Sequence, residues 1–596
     1  MSTGPSEFVR IRVGDTRWQV VPGLKERLFD TDGLRLDEWL RAGQARVVKH
    51  GPHRSVYAVS LPGLSFHLKH NRLANRRAWL RELARVSKAK SECRRALSVA
   101  ARSVPTVTPL AIGERMSGLG KRESFLITRS LEGTTPLNVF VQQILPGLDA
   151  PRQASIRNRL AIALGEFLAR MHEAGIVHHD LHAGNVLVAL TESNELRLHL
   201  VDLHSVRMGR PLSWRASRSN LVVFNRWFVL HVNRTDRLRC WHAYYRARCE
   251  SCYWPLSAGF APQDIAGALA RDLATRTHES LERFWRQRDQ RSLRTNRYYR
   301  RVRGRGVAGH VVADLDPSLV TTLLADPDEP FRRASITILK DSRSSKVVEL
   351  DLVVNGEPRR VIYKRFECKS RIRPWLSLLR RPPALRSWIN GHSLRERCLP
   401  TARPLAALHR RRSGLFQQGY LLSLKIQDTV ELPRFLDDLA SLPREERRAV
   451  LRTRIEQTAR LIRDLHQRGV SQRDLKGANI LTKVVASQGL SQVCAGRGSW
   501  IGEPASTTPD VSIIDLVGVK LPRQVRQSRR VQNLARLNAS VGRHPALTRT
   551  DLLRFLRVYL QWGLRGQDGW KSWWRAIAAA TEAKQQRNAQ SGRPLH

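Results

Sequence analysis

Residues 178–187 read HHDLHAGNVL, and residues 472–481 repeat the pattern as QRDLKGANIL. In both copies an Asp-Leu pair is followed, five residues after the Asp, by an Asn and then by an apolar run. A further Asp in apolar surroundings comes after each copy, Asp202 in the first and Asp515 in the second. The repetition of this ordered set predicts two related domains in one chain.

Further matched blocks surround the two copies in the same order. Lys69 lies 111 residues before Asp180, and Lys364 lies 110 residues before Asp474. The other matched pairs are VPTVTPL (104–110) with LPTARPL (399–405), HEAG (172–175) with HQRG (466–469), and RTDRLR (234–239) with RTDLLR (549–554). We therefore predict a first domain over 1–300, with its core at about 40–285, and a second over 301–596, with its core at about 330–565.

The pattern around each copy predicts a helix, a loop and a strand hairpin. Apolar residues recur at helical spacing over 160–171 and 451–465, and a Gly follows each helix, as is usual at a helix C-terminus. Two apolar strands are predicted after each loop, and the further Asp ends the second strand. In the second copy an insertion at about 486–510, containing Ser, Gly and Pro, separates these strands and is predicted to be a surface loop.

This order resembles the C-terminal lobe of the protein-kinase fold. The resemblance implies an α+β protein with two tandem bilobal domains, each with a small β-rich N-lobe and a mainly helical C-lobe. It also implies phosphoryl transfer from ATP with Mg²⁺. The roles implied for the first domain are catalytic for Asp180, phosphate binding for Lys69 with Glu92 as its partner, metal binding for Asn185 and Asp202, and loop support for His178.

The second domain is less complete. It retains Asp474 as the implied catalytic residue, Lys364 and Lys476 as implied phosphate ligands, and Asn479 and Asp515 as implied metal ligands. Alignment of the Pro-Thr blocks places Ser387 opposite Glu92, so the partner of Lys364 is missing or comes from elsewhere. Gln472 replaces the His before the catalytic Asp. Neither domain has a convincing glycine-rich phosphate loop, since the first offers only Gly51 and residues 340–348 contain no Gly.

Both halves are similar to the lipopolysaccharide kinase (Kdo/WaaP) family. The similarity lies in the short nucleotide loop, the Pro-Thr-x-x-Pro-Leu block, the Asp-Leu-x-x-x-Asn loop, and Asp202 or Asp515 without a full Asp-Phe-Gly. It implies ATP-dependent phosphorylation of a sugar hydroxyl of the lipopolysaccharide core, at the cytoplasmic face of the inner membrane. His182 and Gly184 also resemble small-molecule kinases of the aminoglycoside-phosphotransferase type. A Ser/Thr protein kinase, which Lys476 favours, and a nucleotide-binding pseudokinase scaffold with a basic membrane-docking surface remain as alternatives.

Composition predicts a cytoplasmic protein with an unusual charge. The chain is 41% hydrophobic and 26% charged, which is ordinary globular usage, but its formal net charge is +51. Its seven cysteines are scattered, as in reduced intracellular proteins, and neither a signal peptide nor a spanning segment is expected. The charge indicates an Arg-rich solvated surface or attraction to a polyanion: an anionic glycolipid, an acidic membrane leaflet or, less favoured, nucleic acid.

Overall fold

A computed structural model of the chain describes residues 8–51, 53–72, 86–117, 120–250, 262–367, 381–412, 415–484, 509–560 and 569–590. The chain divides into two compact units, Met1–Ser280 and Leu281–His596. Each unit consists of a sheet lobe followed by a helical lobe, so the predicted α+β class with two bilobal domains is confirmed. Among the described helices, none combines the length and the apolar character needed to cross a membrane.

The sheet lobe of the first unit contains a seven-stranded antiparallel sheet in the order β1-β2-β6-β7-β5-β4-β3. Alternate residues of its strands are buried, as Phe66 and Leu68 are, because one face of the sheet covers the lobe's core. The elements of this lobe are β1 (Val9–Val13), β2 (Thr16–Val20), α1 (Lys25–Leu28), α2 (Leu36–Arg41), β3 (Ala45–Lys49), β4 (Arg54–Leu61), β5 (Leu64–Arg72), α3 (Lys88–Ala100), β6 (Pro109–Ser117) and β7 (Gly120–Arg129).

The helical lobe of the first unit is organised around α4 (Ala150–Glu173), whose apolar face forms the centre of a second core. Gly175 follows this helix at φ +69°, and a Cβ there would lie 2.1 Å from the carbonyl oxygen of Gly209. Only glycine fits this turn, which leads directly into the predicted catalytic loop. The other elements are β8 (Thr134–Pro136), β9 (Ile176–His178), β10 (Val186–Leu190), β11 (Leu196–Leu200), β12 (Val206–Met208), α5 (Trp214–His231), α6 (Arg234–Cys249) and α7 (Pro262–Asp289). The boundary between the two units, after Ser280, falls within α7.

The second unit repeats this sheet, with the order β13-β14-β18-β19-β17-β16-β15. Its sheet-lobe elements are β13 (Tyr299–Arg303), β14 (Val307–Val312), α8 (Pro317–Ala325), β15 (Thr337–Ser342), β16 (Ser345–Val354), β17 (Glu357–Glu367), α9 (Pro383–Glu396), β18 (Pro404–Arg412) and β19 (Leu415–Leu424). Its helical-lobe elements are β20 (Thr429–Glu431), α10 (Leu432–Asp438), α11 (Arg444–Gln467), β21 (Ser471–Gln472), β22 (Ile480–Lys483), β23 (Val511–Ile513), β24 (Val519–Lys520), α12 (Gln527–Val541), α13 (Arg549–Leu560) and α14 (Trp570–Gln590).

Both sheets begin earlier in the chain than the domain cores predicted from the sequence. Strands β1 and β2 precede position 40, and β13 and β14 precede position 330, yet each pair extends its sheet at one edge. Strand β13 also crosses the predicted boundary at 300/301, whereas the two compact units meet at Ser280 and Leu281. Most of the insertion at 486–510 lies outside the described residues.

Candidate active site

The first copy of the repeated motif forms an ordered loop between β9 and β10. The side-chain Nδ2 of Asn185 donates a hydrogen bond to the backbone oxygen of Asp180 over 2.8 Å, so the two ends of the motif are held together. Asn185 is buried, whereas the Asp180 side chain is 62% exposed. The loop therefore presents the Asp180 carboxylate to solvent from a fixed backbone.

His178 connects this loop to the segment that carries Asp202. Its Nε2 lies 3.2 Å from the backbone oxygen of Val201, and its Nδ1 lies 3.3 Å from the hydroxyl of Ser205. Burial lowers the pKa of His178, so the ring is neutral and can donate at Nε2 while it accepts at Nδ1. The Pro-Thr block adds a second connection, since the Thr106 hydroxyl donates to the backbone oxygen of Leu200 over 2.6 Å.

Asp202 is surrounded by cationic and donor groups. Its Oδ1 lies 3.7 Å from Lys69 Nζ, 3.6 Å from an Arg54 guanidinium nitrogen and 3.1 Å from His204 Nδ1. Burial alone would raise the pKa of Asp202, but the His204 hydrogen bond and the nearby Lys69 and Arg54 charges outweigh burial and hold that pKa well below its ordinary value. Asp202 is thus an ionised carboxylate at neutral pH. Its backbone is left-handed, at φ +58°.

Lys69 also contacts Glu92, the partner that the sequence suggested for it. Lys69 lies on β5 and Glu92 on α3, and their side chains form a mostly buried ion pair with exposed fractions of 14% and 7%. Helix α3 begins at a Ser87 cap and is tied to the Asp202 segment, because Arg95 donates to the backbone oxygen of His204 over 2.9 Å. The first unit therefore brings Lys69, Glu92 and Asp202 together.

The second copy of the loop has the same construction despite its different sequence. Asn479 Nδ2 donates to the backbone oxygen of Asp474 over 2.8 Å, and Asp515 has a left-handed backbone at φ +53°. Gln472 Nε2 donates to the backbone oxygen of Asp515 over 2.8 Å, so the amide makes the same type of connection as the imidazole of the first copy. Lys476 is half-buried in this loop. The change from His to Gln leaves the loop intact.

The Lys of the second unit has a different partner. Lys364 Nζ lies 3.0 Å from Asp515 Oδ1, so the partner that the alignment could not identify is the predicted metal ligand itself. Ser387 is buried on α9 at the position aligned with Glu92. On the same helix, Asn390 donates to the backbone oxygen of Leu516 over 2.8 Å and takes over the link between helix and loop. The acidic residue of α9, Glu396, stands at the end of the helix and contacts Arg288 at 2.8 Å. Among the described residues, this helix therefore places no carboxylate against Lys364 to hold it away from Asp515.

A buried chain of hydrogen bonds supports each loop from below, and sequence reasoning missed its role. In the first unit the Tyr244 hydroxyl lies 2.9 Å from His172 Nδ1, and His172 Nε2 lies 3.2 Å from Asn220 Oδ1. Asn220 Nδ2 donates to the backbone oxygen of His178 over 2.7 Å. The signal was present, because His172 belongs to a matched block and Tyr244 follows Arg234 at the same distance, ten residues, as Tyr559 follows Arg549.

The second unit repeats this chain with the same residue types. The Tyr559 hydroxyl lies 2.7 Å from His466 Nδ1, and Asn533 Nδ2 lies 3.0 Å from His466 Nε2 and 3.1 Å from the Ser471 hydroxyl. Burial lowers the pKa of His466 to about 3, as it does for His172. Both imidazoles are therefore neutral structural groups.

The fold and the loop define both units as protein-kinase-like domains. The lipopolysaccharide kinase (Kdo/WaaP) family model matches residues 51–247 and 359–559, well over half of the chain. The chain belongs to this family, and it contains the family's domain twice.

A curated protein and a solved structure, both named WaaP, are similar to parts of the chain. The lipopolysaccharide core heptose(I) kinase WaaP of Pseudomonas aeruginosa is 30% identical over 148 residues, which are 24% of this chain and 54% of that protein. The chain thus spans about half the length of the curated relative it matches. A solved structure of WaaP in complex with acyl carrier protein is 22% identical, with a TM-score of 0.31, and the match covers 44% of this chain and 98% of that one.

Proposed function

We propose that this protein is an ATP-dependent phosphotransferase that phosphorylates a sugar hydroxyl of the lipopolysaccharide core or a related glycolipid, and that its first unit carries the reaction. The observation that carries the proposal is the contact set of Lys69 with Glu92 and Asp202 beside the ordered Asp180 loop. Membership of the lipopolysaccharide kinase family supports a sugar acceptor, as does the name of the Pseudomonas aeruginosa relative.

The exposed Asp180 carboxylate is suited to orient the acceptor hydroxyl and to accept its proton at an oxygen. Lys69 is suited to bind the nucleotide phosphates, with Glu92 fixing its ammonium group. His178 and the chain through Asn220 and His172 keep the loop backbone in place, so that little reorganisation is needed when the acceptor binds.

Asn185 and Asp202 fit a Mg²⁺ ion, because Mg²⁺ prefers oxygen ligands and both side chains supply one. The depressed pKa of Asp202 keeps its carboxylate available at neutral pH. When bound, the ion would neutralise charge on the transferring phosphate. In the second unit Asn479 and Asp515 would take this role, but Lys364 already occupies one side of Asp515. That contact favours a weaker or absent activity for the second unit, which is the pseudokinase alternative restricted to one domain.

The formal charge of +51 supports an anionic acceptor and peripheral association with the acidic cytoplasmic face of the inner membrane. We propose this location together with the activity, since a glycolipid acceptor would be presented there.

The test is a transfer assay with γ-labelled ATP and Mg²⁺, using lipopolysaccharide core oligosaccharide and a generic protein substrate as competing acceptors. We expect label on the oligosaccharide, a loss of at least about 100-fold in kcat for Asp180→Asn, and a small effect for Asp474→Asn. Asp32→Asn, in an exposed turn, is the matched control. Label on protein alone would favour the Ser/Thr kinase alternative, and ATP binding without transfer to any acceptor would favour the scaffold.

A further inference from the structure

We propose that Arg54 binds the terminal phosphates of the nucleotide in the first unit and so takes the place of a glycine-rich loop. This inference rests on the proposed function, since it assumes that the first unit uses ATP. It assigns a nucleotide ligand that the motifs of the chain did not indicate.

The position of Arg54 follows from strand register. Arg54 is the first residue of β4, and Val56, two residues on, lies opposite Lys69 of β5. Residues two apart on a strand share a face, so Arg54 and Lys69 project from the same side of the sheet. Both side chains reach the same atom, Asp202 Oδ1, at 3.6 Å and 3.7 Å respectively. A phosphate held by Lys69 next to Asp202 would therefore lie within reach of Arg54.

The guanidinium of Arg54 has unused hydrogen-bonding capacity. Its Nε is buried and has no hydrogen-bond partner among the described residues, and its 3.6 Å approach to Asp202 is longer than a hydrogen bond. Buried polar groups are nearly always satisfied, so an unpaired one next to a candidate site calls for a ligand. Guanidinium groups suit phosphate because their planar donors can make two parallel bonds to it.

Side-chain hydrogen bonds hold the strand next to Arg54. The buried Ser55 hydroxyl lies 3.2 Å from His50 Nδ1 and accepts a hydrogen bond from Arg72 over 2.9 Å. These contacts fix the backbone next to Arg54. A glycine-rich loop binds phosphates through backbone N–H groups, whereas the sequence here, His50-Gly51-Pro52-His53, contains one glycine and a proline without an N–H. A side-chain donor on a fixed strand would compensate for this loss.

The second unit provides an internal comparison. There Val347 lies opposite Lys364, which places Ser345 at the position of Arg54. Ser345 is buried, and its backbone groups bond to the Ser342 hydroxyl. The unit with Ser387 at the position of Glu92 also has Ser345 at the position of Arg54, as expected if both residues of the first unit serve the nucleotide.

The test compares nucleotide affinities in the full chain, with Lys364→Met as a common background so that the first unit dominates the signal. The affinities of Mg-ATP, Mg-ADP and adenosine are measured by calorimetry for Arg54→Met, Arg54→Lys and the control Arg17→Met, an exposed arginine on β2. We expect Arg54→Met to weaken Mg-ATP binding about 10- to 100-fold, as for loss of a charge-assisted hydrogen bond. Adenosine affinity should stay within about twofold, and Arg54→Lys should recover part of the loss.

Unchanged Mg-ATP affinity in Arg54→Met would overturn the inference, and so would an equal loss of affinity for Mg-ATP and adenosine, which would mark a structural role. A raised KM for the acceptor with normal ATP affinity would also overturn it, since Arg54 would then serve the acceptor. Thermal unfolding of each variant checks the fold. The proposed function fails separately, if the unmodified chain transfers phosphate to no sugar acceptor.

Discussion

The ion pair between Lys69 and Glu92 offers the sharpest test of how the first site is arranged. Glu92→Gln keeps the shape of the side chain but removes its charge. The second unit shows the geometry to expect, because Ser387 stands at the aligned position there and Lys364 lies 3.0 Å from Asp515. We predict that Lys69 in the variant moves from 3.7 Å toward Asp202 in the same way.

The size of the effect follows from these distances. At 3.7 Å, the separation of Lys69 and Asp202, the attraction between unit charges is about 4.5 kcal/mol at an effective dielectric constant of about 20. At 3.0 Å, the separation of Lys364 and Asp515, it is about 5.5 kcal/mol. Moving Lys69 to the shorter distance from Asp202 thus strengthens their attraction by about 1 kcal/mol, and a nucleotide must overcome this extra attraction when it binds. Glu92→Gln also removes the contact that orients Lys69. With this loss included, we expect the free energy of Mg-ATP binding to weaken by about 2 kcal/mol in total, which is about 30-fold in affinity.

The assay is calorimetric titration of the full chain with a non-hydrolysable ATP analogue and Mg²⁺, together with kcat/KM for ATP. Glu123→Gln is the matched control, because Glu123 lies on neighbouring β7 and contacts His70 at 2.9 Å and Arg115 at 3.4 Å. We expect the control to bind nucleotide normally. An affinity within about twofold of the unmodified chain for Glu92→Gln would refute the assigned role of the pair.

Two further predictions concern the buried chain beneath the loop. The His172 pKa is about 3 because of burial, so the folded state excludes a proton that the unfolded state binds below about pH 6.5. The stability that this neutral histidine contributes is complete above that pH and falls by about 1.4 kcal/mol per pH unit as the pH drops toward 3. Hydrogen exchange of the α4 amides, measured over this pH range, should show the loss. In His172→Gln the dependence of stability on pH should be weaker. Tyr244→Phe should destabilise the first unit by about 1–3 kcal/mol, since it leaves His172 Nδ1 buried without its donor; a change below about 0.5 kcal/mol in urea unfolding would contradict this reasoning.

Much of the fold could be predicted because the same ordered motifs occur twice in the chain. Matched spacing from Lys69 to Asp180 and from Lys364 to Asp474 required strands and helices of matched length, and both sheets have the same strand order. The Glu92 prediction also rested on position, and the structure places that side chain on Lys69. The two strands at one edge of each sheet lie outside the matched blocks, so the repeat gave no sign of them, and arginines interrupt the apolar residues of β1 and β13.

The contacts of the site that depend on distant parts of the chain could not be read from local pattern. Asp515 is 151 residues from Lys364, and Arg54 lies far in sequence from Asp202, so neither spacing nor periodicity links them. These contacts form only when the sheet lobe and the helical lobe of one unit meet. The pairing of His172 with Tyr244 differs, because both residues recur in the second copy and a comparison of the copies could have linked them.

Two of the differences between the copies concern the same function, nucleotide binding. The second unit keeps the groups that hold the loop, the His466–Tyr559 contact and the Asn479 bond among them. It has serines, Ser387 and Ser345, at the positions of Glu92 and Arg54, the two groups that we assign to the nucleotide. If the second unit had only become less stable, its buried core and its loop supports would have changed as well, but both are intact. The pattern therefore supports a second unit that has kept its fold but no longer takes part in nucleotide chemistry. It predicts that breaking the Lys69–Glu92 pair removes the function of the first unit alone.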